Sequence, residues 1–116
     1  MAYDDYVAER INRCLSDRKV IFISKRMMGG LCYMVDDKML CGLVRDQLMA
    51  RIGPDLYESA LMQEGVHKMT FTGRSMKGYV FIDMEAIDTD DQLSHWIDLC
   101  LAFNPLAKSS KKKKKR

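Results

Sequence analysis

The sequence predicts a two-layer α+β domain: an antiparallel sheet of about five to six strands with three helices. Amphipathic stretches open the chain, interrupt it after Gly53-Pro54 and close it before Asn104-Pro105. Between them lie short runs of β-branched, aromatic and Met residues joined by two- or three-residue turns. Strands joined so tightly must be antiparallel, and three one-sided helices need an apolar sheet face to cover. No internal repeat or linker divides the 116 residues, whose 47% hydrophobic content is enough for one core.

Tyr3, Val7, Ile11 and Cys14 recur at helical spacing while Asp5, Glu9 and Arg13 face elsewhere, which predicts an amphipathic first helix. Val20 to Ser24 is a compact branched and aromatic run that suits a strand. Gly29-Gly30 breaks it and shapes a bulge or chain reversal. Leu31 to Val35 and Lys38 to Val44 flank Asp36-Asp37, whose short side chains tolerate the left-handed backbone of a tight hairpin. Counting outward from that turn sets 35 against 38, 34 against 39, 33 against 40 and Cys32 against Cys41, with Cα atoms about 4.5 Å apart, within disulfide range. Leu48, Ala50 and Ile52 alternate with Met49 and Arg51 in a further half-buried strand after a turn at Arg45 to Gln47.

Pro54 suits a first helical position, since its missing amide would lack an intrahelical partner anyway. Leu56, Tyr57, Ala60 and Leu61 form that helix's apolar side, and Gly65 closes it. Lys68 to Phe71 is short and extended, Gly73 to Gly78 reads as a loop, and Tyr79 to Met84 as the last strand. Thr89 and Gln92 have capping-box spacing, with Asp90 and Asp91 near the positive end of a third helix built on Leu93, Trp96, Ile97, Cys100 and Leu101.

Charge is unevenly spread. Lys108, Lys111, Lys112, Lys113, Lys114, Lys115 and Arg116 supply seven of the nineteen basic groups, leaving residues 1 to 107 with twelve basic against sixteen acidic, a net −4. A basic nucleic-acid surface over the body is disfavoured, and affinity for polyanions is expected in the tail, as weak binding without sequence preference. No apolar stretch approaches a membrane span and the first residues do not read as a signal peptide, so the expected setting is the cytoplasm with no membrane partner. Cysteines at 14, 32, 41 and 100 have no Cys-x-x-Cys spacing and only two histidines accompany them, which is no zinc framework; reduced, core-filling thiols are expected.

No catalytic, cofactor or metal pattern stands out. Gly73-Arg74-Ser75-Met76-Lys77-Gly78 has the opening glycine spacing of a P-loop, but Tyr79 and Val80 replace the required Lys and Ser or Thr. Arg74, Lys77 and Gly78 remain candidates for contacting an anion or acidic partner. Lys25 and Arg26 with Gly29 and Gly30 form a second such patch. His95 is expected exposed on the last helix, and His67 beside the end of the middle one. Asp88, Asp90 and Asp91 lack the glycine and glutamate of a calcium loop and are better explained as caps. Ten methionines are expected chiefly to fill core.

Met28-Gly29-Gly30-Leu31-Cys32-Tyr33-Met34, then Leu48-Met49-Ala50-Arg51-Ile52-Gly53-Pro54, then Phe71-Thr72-Gly73-Arg74-Ser75-Met76-Lys77-Gly78-Tyr79-Val80 resemble, in order, successive blocks of the TfoX (Sxy) N-terminal domain family. The resemblance covers roughly residues 10 to 103. It departs at Met28, often aromatic, at Ser75, often proline, and at Asp37, often glycine. YjbR-like domains share a small sheet and basic character but fit the three blocks less well. The resemblance implies a bacterial cytoplasmic domain with a secretion-chaperone-like fold and no known catalytic residues. Longer relatives add a C-terminal domain and regulate DNA-uptake competence with the cyclic-AMP receptor protein. The expected organisation is a TfoX N-terminal-like domain over residues 1–105 and a disordered lysine-rich tail over 106–116. The expected function is a noncatalytic, transcription-associated module that binds a protein partner; the alternative is nucleic-acid association through the tail.

Overall fold

The computed structural model describes residues 4–27, 29–71 and 74–107. Helix α1 (Asp5–Asp17) leads into strands β1 (Ile23–Met27), β2 (Gly30–Val35), β3 (Lys38–Val44) and β4 (Gln47–Arg51). Helix α2 (Pro54–Leu61), strands β5 (Val66–Phe71) and β6 (Arg74–Asp83), and helix α3 (Asp90–Phe103) follow. The six strands form one antiparallel sheet in the order β1-β2-β3-β4-β6-β5. This is the expected α+β class.

Local chemistry sets the element ends. Asp4 caps α1 by accepting from the Tyr6 amide at 2.9 Å. Thr89 and Gln92 close the reciprocal capping box on α3 at 3.1 and 3.0 Å. Asp36 and Asp37 both adopt positive φ, 55° and 64°, so the two-residue hairpin forms with the handedness that matches strand twist. Asn104–Leu106 form a 3₁₀ turn after α3, and Ala107 is buried.

All three helices lie on one side of the sheet. Ile11 and Leu15 of α1, Tyr57 and Ala60 of α2, and Trp96, Ile97 and Cys100 of α3 share a cluster with Tyr33, Leu43, Leu48, Ala50, Val80 and Ile82. The buried phenol of Tyr33 donates to the Ala8 carbonyl at 3.0 Å, tying β2 to α1. On the opposite side, Cys32, Met49 and Met69 form a second cluster packed by Met39, Tyr79 and Phe81, and among the described residues every member comes from a strand.

The β2–β3 register corrects the sequence expectation. Pairing runs Val35↔Lys38 and Met34↔Met39, then shifts to Tyr33↔Cys41 and Cys32↔Gly42. Leu40 is the extra residue of a bulge, and it joins Cys41 in the helix-side cluster while Cys32 belongs to the opposite one. Cys32 and Cys41 therefore do not face each other. The bulge lets Leu40 and Cys41 bury on the same side, which a regular alternation forbids.

Other boundaries also move. The first strand starts at Ile23 rather than Val20, because its place is set by pairing with β2 across the Gly29 turn, from Met27↔Gly30 to Ile23↔Met34. The segment read as a loop from Gly73 to Gly78 is strand from Arg74 onward, its backbone paired through Phe71↔Arg74 and Thr70↔Ser75. Gly73 itself lies outside the described residues. His67 sits in β5, not at a helix end, with its Nε2 2.9 Å from Asp83 Oδ2.

Candidate interaction surfaces

The two basic patches do not converge. Lys25, Arg26, Gly29 and Gly30 belong to the β1–β2 hairpin at one end of the sheet, whereas Arg74, Lys77 and Gly78 belong to β6, four strand positions away. At about 4.8 Å per position that is roughly 19 Å. Lys25 and Arg26 are exposed on the edge strand β1, and Lys77 is exposed on β6. Lys108 and Lys111 to Arg116 lie outside the described residues.

The glycines in these patches have backbone work. Gly29 turns the chain at φ +75° with open space where a Cβ would be. A Cβ on Gly30 would lie 2.0 Å from the Leu43 carbonyl oxygen, so only glycine lets β2 approach β3 there. Gly78, at φ +95°, turns its carbonyl to accept from both the Ile52 and Gly53 amides, at 2.9 and 3.1 Å. That junction joins β6 to the start of α2.

Paired residues in adjacent strands share a face, so a single row crosses the sheet away from the helices: Lys25, Cys32, Gly42, Met49, Phe81 and His67. Arg51 lies on the same side, its guanidinium carbon 5.2 Å from the Tyr79 ring centre and 5.8 Å from that of Phe103, with Nη1 donating to the Met39 carbonyl at 3.4 Å. Met39, Tyr79 and Phe81 are half-buried rather than covered. Sequence reasoning took the methionines chiefly as core and read Tyr79 and Phe81 only as part of the last strand. The readable signal was the alternation of Met49 and Arg51 against Leu48, Ala50 and Ile52, and of Tyr79 and Phe81 against Val80 and Ile82.

A cavity of about 120 Å³ opens between α1 and the start of α3, lined by Arg10, Arg13, Cys14, Arg18, Asp90 and Ser94 among others. Arg10 and Arg18 are already engaged. Arg18 donates to both Asp98 carboxylate oxygens, at 2.7 and 3.1 Å, and through Nη1 to the Cys14 carbonyl and Sγ, at 3.2 and 3.0 Å. That contact raises the guanidinium's pKa and lowers the Asp98 carboxyl's. Arg10 donates to the Asp88 carbonyl at 3.2 Å and lies 3.5 Å from Asp90. None of this was legible as a site, since the partners are some 80 residues apart in the chain.

A wider hollow of about 390 Å³ between α2 and α3 includes Glu64, Asp91, Gln92, His95 and Trp96. His95 is exposed, as expected, with its ring edge-on to Trp96 at 5.3 Å. Burial raises the pKa of three thiols: Cys32 modestly, Cys41 well above its ordinary value, and Cys100 to about 12 despite a countervailing bond from the Arg51 amide. The His67 and Gln47 hydrogen bonds hold Asp83 below the usual carboxylate range. Among the described residues no group of three or more His, Cys, Asp or Glu side chains is placed to hold a metal ion, and no helix is long and apolar enough to cross a membrane.

The architecture defines a small α+β domain with one sheet face under helices and, on the other, a cluster whose members among the described residues come from strands. The chain belongs to the TfoX N-terminal domain family, whose model matches residues 21–104. The match spans β1 through α3 and includes all three sequence blocks; α1 precedes it, although Ile11 and Leu15 are fully buried in the same core. No curated protein and no solved structure matches the chain.

Proposed function

We propose that this chain is a noncatalytic interaction module, a cytoplasmic, transcription-associated regulator of the competence-regulator type that acts by binding a protein partner. The observation that supports this most is the strand-only face, where the half-buried Met39, Tyr79 and Phe81 surround Cys32, Met49 and Met69. Methionine and aromatic side chains on one surface adapt to a partner's shape. Membership of the TfoX N-terminal domain family agrees with this reading. Arg74, Lys77 and Gly78 on β6, and Lys25, Arg26, Gly29 and Gly30 in the β1–β2 hairpin, are its candidate contacts, and a secretion-chaperone-like likeness belongs to the same proposal. Affinity capture from the native cell with the intact chain and with a chain ended at Ala107 tests it. The same partner retained by both supports the proposal, and capture lost with the tail counts against it.

A second reading rests on the seven positive charges among residues 108–116 against the net −4 of the rest. They would bind nucleic acid weakly and without sequence preference. If all seven met single-stranded phosphates, log affinity against log salt would fall with a slope near about −5, at roughly −0.7 per phosphate. Equal binding by the full and shortened chains would show that the body, not the tail, carries it.

A further inference from the structure

Acidic and basic groups are segregated along this chain. Residues 53–66 and 84–107, which hold α2, the 3₁₀ turn Met84–Ile87 and α3, contain eight Asp and Glu and no Lys or Arg. Residues 1–52 and 67–83 hold twelve basic against eight acidic groups, and residues 108–116 hold seven basic and no acidic ones. The chain that leaves the acidic helix α3 is therefore the most basic stretch of the protein.

Two of the eight carboxylates are matched from α1: Arg18 holds Asp98, and Arg10 stands 3.5 Å from Asp90. The other six, Asp55, Glu58, Glu64, Glu85, Asp88 and Asp91, are exposed, and among the described residues none of them has an ion-pair partner. Glu64, just past α2, and Asp91, in the first turn of α3, both line the hollow of about 390 Å³, together with Trp96.

We propose that this hollow is where the chain's own C-terminal segment docks, running back along α3 so that Lys111 to Arg116 meet Glu64 and Asp91. The geometry allows it. At 1.5 Å per helical residue, Trp96 and Asp91 stand about 12 and 20 Å from Asn104. The 3₁₀ turn Asn104–Leu106 adds at most about 6 Å. The nine residues after Ala107 reach about 30 Å when extended, at about 3.3 Å each. A segment turned back antiparallel to α3 sets Lys112 and Lys113 level with Trp96 and Lys115 level with Asp91. The uncharged Ser109 and Ser110 then pass the stretch around Ala102, which is exposed and carries no unmatched carboxylate.

The occupant follows from charge and connection together. A second copy would bring the same acidic helices against each other, and nucleic acid is repelled from them. The basic segment begins at the end of α3 itself, so its local concentration at the hollow is of the order of millimolar without any partner. Each exposed ion pair is weak, and only several made at once hold the segment, so the contact is labile to salt. A polyanion and the acidic helices then compete for the same lysines.

Trp96 is the only tryptophan, so its emission reports on the hollow. Raising salt from about 20 mM to about 500 mM cuts the screening length about fivefold and should shift the Trp96 emission of the full chain. Lys111→Gln, Lys112→Gln, Lys113→Gln, Lys114→Gln and Lys115→Gln together should abolish that response and leave the circular dichroism spectrum unchanged. At low salt, zero-length carbodiimide coupling should join tail lysines to Glu64 and Asp91 of the same chain at least about fivefold more than to Asp4 and Asp5, which are equally exposed at the start of α1. The same salt response in both chains, coupling spread evenly over all four carboxylates, or coupling only between two copies would overturn the proposal.

Discussion

Arg18 holds Asp98 with two parallel hydrogen bonds, Nε to Oδ1 at 2.7 Å and Nη2 to Oδ2 at 3.1 Å, and so links the end of α1 to the middle of α3. The same guanidinium reaches back to the Cys14 carbonyl and sulfur, so one side chain joins a helix end to a neighbouring helix. Because Arg18 is 28% and Asp98 59% exposed, solvent screens the pair and its net worth is modest.

Asp98→Asn should therefore cost about 0.5–1 kcal/mol near neutral pH. The folded carboxyl titrates below its unfolded value near about 3.9, so its contribution is complete above that pH and is lost as pH falls through the lower, folded value. Urea midpoints of wild type and variant across an acid titration should differ at pH 7 and converge below about pH 3. A gap that persists undiminished in acid would show that packing, not the ion pair, distinguishes the two.

Gly29→Ala and Gly30→Ala should separate two uses of glycine in one hairpin. At Gly29 there is space for a Cβ but φ is +75°, so alanine should cost about 1–2 kcal/mol of backbone strain. At Gly30 the Cβ would meet the Leu43 carbonyl oxygen, and either β2 moves off β3 or the fold fails, costing about 3 kcal/mol or more. Denaturant unfolding of the two variants should rank them in that order.

Oxidation should produce no Cys32–Cys41 disulfide within one chain. Cys32 lies opposite Gly42, and the bulge at Leu40 puts Cys41 in the cluster on the other side of the sheet. Folded protein should also alkylate slowly at Cys32, Cys41 and Cys100, whose thiols burial holds protonated, and quickly at all of them in denaturant. Peptide mapping by mass spectrometry checks both outcomes.

Leu15→Ala should cost about 2–5 kcal/mol although Leu15 precedes the family match. Its side chain is fully buried in the helix-side cluster, and α1 also supplies the Ala8 carbonyl that accepts from Tyr33. Removal of residues 1–20 should expose that face and lower the thermal midpoint far more than removal of residues 108–116.

What the sequence by itself determined was local. The two aspartates made a left-handed turn, Thr89 and Gln92 a capping box, Pro54 a helix start, and the 3.6-residue spacing of Val7, Ile11 and Cys14 a buried helix face, because each depends on neighbours within one turn. These elements sufficed for an antiparallel α+β class. The tertiary structure alone decided how the strands meet. Counting from the Asp36-Asp37 turn assumed an unbroken ladder, but burying both Leu40 and Cys41 beneath the helices required a bulge that sends Cys32 and Cys41 to opposite faces. It also placed β6 between β4 and β5, which parts Lys25 and Arg26 from Arg74 and Lys77 and aligns Met49 with Phe81 on the strand-only face. Pairing across long stretches of chain is settled by the shape of the whole core, and no short stretch of sequence carries that shape.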